Sequence, residues 1–246
     1  MGSFVWLLYS VIGSYPKPLT KSENPEREVR EVLLLWSIAA IVSMVRMDIL
    51  DPYLEQVFTD RTLRELVKIP LLSVPYVALP LFIVLKQNKW TLKDLGLTWR
   101  SQSSGVAMFA VLFGFVSGLT AFLTNKTVMG IDLLPVGALI LLLYNNSFLE
   151  EFYHRGVIQS KLEKAVGQKK AIFWGGVLFG LTHLFFDISQ LLTSEGIPSV
   201  LFALLLQVIG GWLLGIVYMK TRSLWPGIAC HYLVNWLPGI LSGLTR

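Results

Sequence analysis

The chain has 246 residues, of which 54% are hydrophobic and only 15% are charged, and its mean hydropathy is +0.60. A soluble domain carries about 25% charged residues, so this composition excludes an ordinary soluble protein and indicates a polytopic membrane protein. The net charge of +5 lies mostly in a few loops. Such a distribution is typical of membrane topology and argues against nucleic-acid binding.

Seven apolar segments predict an all-α transmembrane bundle that forms a single domain over residues 1–246. A short apolar stretch at residues 4–14 adds an interfacial helix or an eighth, partial span, and a polar loop follows it to residue 31. In the third span, Gly114 and Gly118 have the spacing at which membrane helices pack closely. After the first span we expect a hydrophilic loop that reaches to about Glu65. The predicted spans are residues 32–45, 69–85, 101–125, 133–161, 171–186, 197–219 and 224–244.

Lysine and arginine are distributed unevenly over the loops, and this predicts the orientation of the bundle. If the seven spans alternate, fifteen basic residues lie on one side of the membrane and six on the other. Cytoplasmic loops carry the excess of lysine and arginine. We expect an integral protein of a prokaryotic cell membrane, and the uneven charge predicts that the polar loop at 15–31 and the loops after Leu85, Lys161 and Met219 are cytoplasmic.

Ionisable side chains inside three apolar runs indicate a candidate site. Glu150 and Glu151 follow an uncharged run, His183 lies in the fifth span, and His231 and Asn235 lie in the seventh. At a rise of about 1.5 Å per residue, Glu150, His183 and His231 lie about 16, 18 and 10 Å from the cytoplasmic ends of their helices. The three segments can therefore meet in the cytoplasmic half of the bilayer, a depth at which ionisable groups are usually functional.

Spacing along the fourth span separates the roles of its two carboxylates. Adjacent residues on an α-helix point about 100° apart, so we expect only one of Glu150 and Glu151 to face the site. Glu151 and Arg155 are four residues apart and can pair along one face of the helix. Glu150 then stays free to act as a general base toward water, and His183 could hold the same water or share a metal with it.

His231 and Asn235 are also four residues apart and present two hydrogen-bond donors on one helix face. Such a pair could stabilise the oxyanion of a tetrahedral intermediate. Phe179, one turn before His183, could shield the pocket from bulk water. Each of these residues also has a structural explanation, since buried histidines and asparagines often serve as interhelical contacts.

The remaining polar residues within the spans receive no catalytic role. Asn145, Asn146 and Gln207 are expected to pack against the site or to support it, and His154 is expected at the membrane interface, outside the site. The sequence contains no HExxH zinc motif, no G-x-S-x-G nucleophile motif and no phosphate-binding Walker loop.

The ordered set of motifs resembles the CPBP family of intramembrane proteases, which includes the Rce1-type CAAX prenyl endopeptidases and the bacterial Abi proteins. The resemblance covers about residues 133–244, which we take as the catalytic core, and the N-terminal half carries no motif that we can assign. The matching segments are Glu150-Glu151-Phe-Tyr-His-Arg155-Gly156 to EExxxRG, Phe179-Gly-Leu-Thr-His183 to FxxxH, and His231-Tyr-Leu-Val-Asn235 to HxxxN.

The resemblance implies an endopeptidase that hydrolyses a peptide bond within or near the membrane. Its substrate would be a membrane-anchored peptide or protein, with a prenylated CAAX tail as one option, and its site would open toward the cytoplasm. The competing class is a non-enzymatic membrane protein. That class includes a bacteriocin-immunity or interaction factor, and a transporter that uses Glu150 to carry protons.

The resemblance also implies a division of labour among the site residues. Glu150 and His183 would activate water, His231 and Asn235 would form the oxyanion site, and the neighbouring Glu–Arg pair would support them. Metal dependence is left open, because Glu150, His183 and His231 could together ligate zinc. The pairing of His231 with Asn235 as donors favours a reaction that requires no cofactor.

Overall fold

The computed structural model describes residues 13–87, 89–124, 136–191 and 196–244, and these residues form helices and no strands. The predicted interfacial segment at 4–14 lies, apart from its last two residues, outside the described part of the chain. The described residues contain seven continuous helices: α1 (Pro25–Val57), α2 (61–87), α3 (Ser104–Leu123), α4 (136–166), α5 (Gln168–Leu191), α6 (Gly196–Thr221) and α7 (Trp225–Leu244).

Four of the described helices, α1, α2, α3 and α6, are long and apolar enough to cross a membrane by length and composition. The three remaining predicted spans are also helical, as α4, α5 and α7, but they are not among these four. The all-α fold is therefore confirmed, whereas the predicted count of seven or eight spans is not. The three helices outside the set are those that carry the candidate site residues.

The first two helices are longer than the sequence predicts. Helix α1 continues to Val57, and only residues 58–60 separate it from α2, so the predicted hydrophilic loop reaching to Glu65 is wrong. The charged residues of this region are helical because they pair with one another. Lys68 Nζ lies 2.7 Å from Asp51 Oδ1 and 3.0 Å from Glu65 Oε1. Asn145 of α4 completes the group by donating to Glu65.

Helix α4 lies at the centre of the bundle, and every residue from 151 to 163 is buried. Two π-helical stretches, Leu143–Phe148 and Phe152–Gln159, flank a single α-helical turn at Leu149–Glu151. The hydroxyl of Tyr153 donates to the carbonyl oxygen of Leu35 in α1 at 2.6 Å. π-Helical turns are rare and occur frequently at functional sites, so the two π-helical stretches of α4 indicate a functional site in this part of the bundle.

Glycines bring the helices that flank α4 into backbone contact. A Cβ atom added at Gly118 would lie 2.4 Å from the carbonyl oxygen of Leu233, and one at Gly114 would lie 2.8 Å from Cys230 Cα. The close packing predicted for α3 is therefore confirmed, and α7 is its partner. Helices α5 and α6 are similarly close, since a Cβ at Gly211 would lie 2.8 Å from the Cα atom of Gly176. These contacts position α5 and α7 around α4.

Gly118→Ala is expected to lower the free energy of unfolding by about 1–3 kcal/mol, because the added methyl group would overlap a backbone carbonyl. Thermal unfolding of the purified protein in detergent measures the effect. Gly210→Ala is the matched control, since no atom lies within 4 Å of a Cβ at that position. Equal stability of the two variants would contradict the close approach of α3 and α7.

Candidate active site

The structure brings the three predicted segments together at one carboxylate oxygen, Oε2 of Glu150. His183 Nε2 of α5 and His231 Nε2 of α7 each lie 3.8 Å from this atom. The oxygen itself is buried and has no hydrogen-bond partner, while the side chains of Glu150 and His183 are 18% and 22% exposed. A separation of 3.8 Å is too long for a direct hydrogen bond and suits a bridging water molecule.

Each imidazole is oriented through its other ring nitrogen. His183 Nδ1 lies 2.9 Å from the carbonyl oxygen of Phe179, and His231 Nδ1 lies 3.0 Å from Glu151 Oε1. Carbonyl and carboxylate oxygens only accept hydrogen bonds, so both Nδ1 atoms carry a proton. In the neutral rings both Nε2 atoms are therefore acceptors, and both face the Glu150 carboxylate.

The two Nε2 acceptors thus face a third acceptor, Glu150 Oε2. A hydrogen-bond donor near these atoms would satisfy them. A water molecule can donate to two of the three, and protonation of one imidazole would supply a further donor. This geometry refines the predicted role of His231. Its Nε2 can donate to an oxyanion only when the ring is an imidazolium, whereas the amide of Asn235 can donate without any change of charge.

Glu151 is almost completely buried and contacts two partners at once. Its Oε2 lies 3.4 Å from Arg155 Nε, which is the ion pair predicted from the spacing, and its Oε1 accepts from His231. Both adjacent carboxylates therefore touch the same imidazole, Glu151 at Nδ1 and Glu150 at Nε2. Only Glu150 approaches the two Nε2 atoms, whereas Glu151 contacts the opposite edge of the His231 ring, because this ring of α7 lies across the helix surface between the two carboxylates.

Phe179 packs among the charged and aromatic groups of the site. Its ring lies 4.1 Å from the Arg155 guanidinium carbon, 4.6 Å from the His183 ring and 6.4 Å from the His231 ring. An aromatic face attracts a guanidinium. The ring therefore holds Arg155 in place on one side and backs the two imidazoles on the other.

Two further residues lie beside the site: Asn146, which was expected to support it or to pack against it, and His154, which was expected outside it. Asn146 donates to Glu150 Oε1 at 2.7 Å and accepts from Asn235 at 3.3 Å. The four-residue spacing from Asn146 to Glu150 is the same signal that paired Glu151 with Arg155, and it could have been used. His154 is buried against Phe179, with ring centroids 5.1 Å apart, so it lies next to the site and not outside it. The reason is that α4 is buried on all sides here.

The residues with which a metal could be held are Glu150, His183 and His231. One carboxylate oxygen and two imidazole nitrogens form a donor set that zinc accepts. The contact from Glu151 to His231 Nδ1 is also the kind that orients metal-bound histidines. Across the described residues, however, no group of three or more His, Cys, Asp or Glu side chains has the arrangement of a metal site. The donor types fit zinc, and the separations of 3.8 Å from Glu150 Oε2 to the two Nε2 atoms do not decide between a zinc ion and a water molecule.

The fold and the site together define a helical membrane protein with two carboxylates and two imidazoles close together in its core. Residues 132–237 match the family model described as Rce1-like, type II CAAX prenyl endopeptidase Rce1-like. The predicted resemblance to this family is confirmed over that region. The match includes the site residues from Asn146 to Asn235. Searches of curated proteins and of solved structures gave no significant match.

Arg155→Ala is expected to destabilise the protein by about 3–5 kcal/mol, because it leaves the buried Glu151 carboxylate without its cation. Thermal unfolding again provides the measurement. Arg64→Ala is the control: Arg64 lies 3.7 Å from Glu55, whose side chain is 67% exposed, and such surface pairs contribute about 0–1 kcal/mol. If both substitutions cost the same, the Glu151–Arg155 pair is not the buried contact described.

Proposed function

We propose that the protein is an intramembrane endopeptidase in which Glu150 activates a water molecule for attack on a peptide bond. The observation that carries the proposal is the convergence of two imidazole Nε2 atoms, from His183 and His231, on the unpartnered Oε2 of Glu150. The match of residues 132–237 to the Rce1-like family model supports the peptidase class. The proposed substrate is a membrane-anchored peptide or protein, with a prenylated CAAX tail as the first to test.

In the proposed reaction, a water molecule lies between Glu150 Oε2 and His183 Nε2 and donates one hydrogen to each. Glu150 takes one proton as the water oxygen attacks the peptide carbonyl carbon, and a tetrahedral oxyanion forms. Asn235 stabilises the oxyanion through an amide N–H, joined by His231 as an imidazolium. Glu150 then returns its proton to the leaving amine nitrogen as the C–N bond breaks, which restores the carboxylate.

This reaction requires no cofactor, and zinc is the alternative. If zinc were bound by Glu150, His183 and His231, it would supply Lewis-acid chemistry at the same point. The glutamate mechanism and the zinc mechanism predict different effects of chelation on activity. Activity that persists after exhaustive chelation supports the glutamate reading. The metalloenzyme is supported if chelation abolishes activity, if the untreated protein holds one equivalent of zinc, and if His183→Ala lacks that zinc.

We further propose that the site opens toward the cytoplasm, because the four basic loops lie together at one end of the bundle. Glu163, at the end of α4, accepts from the backbone N–H of Leu19 at 3.0 Å and pairs with Arg222 at 2.5 and 2.6 Å. Lys164 lies 4.3 Å from the ring of Trp90, in the loop between α2 and α3. An excess of basic residues at one end is the mark of the cytoplasmic side.

Glu150→Gln is expected to abolish cleavage of a prenylated CAAX peptide by the protein reconstituted in lipid vesicles. The amide cannot take a proton from water, while its shape and its membrane insertion stay those of the glutamate. Glu55→Gln, at an exposed position of α1, is the control and should retain full activity. Wild-type turnover by the Glu150→Gln protein would overturn the proposed role of Glu150. Absence of cleavage by the wild-type protein itself would favour the non-enzymatic class, an immunity or interaction factor or a proton-coupled transporter.

A further inference from the structure

Asn146 joins the two halves of the candidate active site. Its amide nitrogen donates to Glu150 Oε1 at 2.7 Å, and its amide oxygen accepts from Asn235 Nδ2 at 3.3 Å. Asn146 and Glu150 lie one turn apart on α4, whereas Asn235 comes from α7. With 8% exposure, Asn146 is a buried link between the water-activating carboxylate and the oxyanion amide.

The direction of both hydrogen bonds follows from the carboxylate. Glu150 Oε1 only accepts, so Asn146 must present its NH₂ group to Glu150 and its carbonyl oxygen to the opposite side. Asn235 must then present its own NH₂ group, because its carbonyl oxygen would face another acceptor. A side-chain amide without such neighbours could turn by 180° at little cost. Here the glutamate selects one orientation for both amides.

We propose that Asn146 is a positioning residue that sets the Glu150 carboxylate and the Asn235 amide relative to each other before substrate binds. The inference rests on the proposed function. Each partner commits one atom to Asn146 and keeps one for the reaction: Glu150 keeps Oε2 for water, and Asn235 keeps its second N–H for the oxyanion. Donors held in advance in this way need no reorientation in the transition state.

The link can persist while the proton moves. When Glu150 Oε2 takes the proton from water, Oε1 becomes the carbonyl oxygen of a neutral carboxylic acid and still accepts from Asn146. Both side-chain amides therefore keep their hydrogen bonds and need not rotate. The oxyanion donor thus keeps its direction through proton transfer, attack and collapse of the intermediate.

The adjacent residue, Asn145, offers a matched control. It is the same residue type on the same helix and is only 1% exposed. Its amide nitrogen donates to the backbone oxygen of Glu65 at 2.7 Å and to Glu65 Oε2 at 3.1 Å, which links α4 to α2. Asn145 therefore serves helix packing and not the reacting groups.

The test compares Asn146→Ala and Asn146→Leu with Asn145→Leu, using the full chain in lipid vesicles and a prenylated CAAX peptide as the probe. Leucine keeps the volume of asparagine but makes no hydrogen bond. Both Asn146 variants are expected to lose about 10- to 100-fold in kcat with little change in KM, the usual cost of removing a contact that orients a reacting group. Asn145→Leu should lower the Tm and leave kcat unchanged. If Asn146→Leu restores the kcat lost in Asn146→Ala, Asn146 acts by packing and the inference is overturned.

Coupling with Asn235 provides a second readout that does not depend on either variant alone. Asn235→Ala should lose about 100- to 1,000-fold, as expected for one oxyanion donor. The double variant Asn146→Ala/Asn235→Ala should lose less than the product of the two single losses, because residues in one hydrogen-bond network are not additive. Independent, multiplying losses would overturn the inference. Failure of the proposed function would show instead as normal cleavage by Glu150→Gln.

Discussion

The buried ion pair between Glu151 and Arg155 is the interaction on which the geometry of the site depends. Their side chains are 1% and 2% exposed, and either charge without the other would cost several kcal/mol. Because Arg155 keeps Glu151 ionised, the carboxylate accepts from His231 Nδ1 and turns the opposite ring nitrogen toward Glu150. Arg155 also lies against the Phe179 ring. His183 is oriented separately, by the Phe179 backbone carbonyl of its own helix. The buried pair therefore directs the His231 ring, and α5 directs the His183 ring to the same oxygen.

Two neighbouring glutamates thus acquire different duties from their surroundings. Glu151 meets a guanidinium and an imidazole N–H, so both of its oxygens have partners. Glu150 meets the Asn146 amide at one oxygen, and its second oxygen faces two acceptor nitrogens, each 3.8 Å away. A carboxylate with a free oxygen beside water is suited to proton transfer. A carboxylate with no free oxygen is suited to hold other groups in place.

The sequence predicts most of the site but less of the bundle. Four-residue spacing identifies the Glu151–Arg155 pair, because it depends only on helix geometry. The burial of His154 was missed, since it depends on how many helices surround α4 and on its π-helical stretches, which spacing does not reveal. The predicted loop reaching to Glu65 was wrong for a similar reason. Its charged residues indicate a loop when they are considered in sequence alone, whereas their pairing across helices appears only in three dimensions. The catalytic roles and the number of spans remain predictions.

The orientation of the two imidazoles is the central claim, and ¹⁵N NMR of histidine-labelled protein in lipid vesicles tests it most directly. The chain has only three histidines, so each signal can be assigned by replacing one histidine at a time. We expect His183 and His231 both to carry a proton on Nδ1, with Nε2 unprotonated whenever the ring is neutral. An unprotonated Nδ1 in either ring would contradict it, because that nitrogen could not donate to the Phe179 carbonyl or to Glu151.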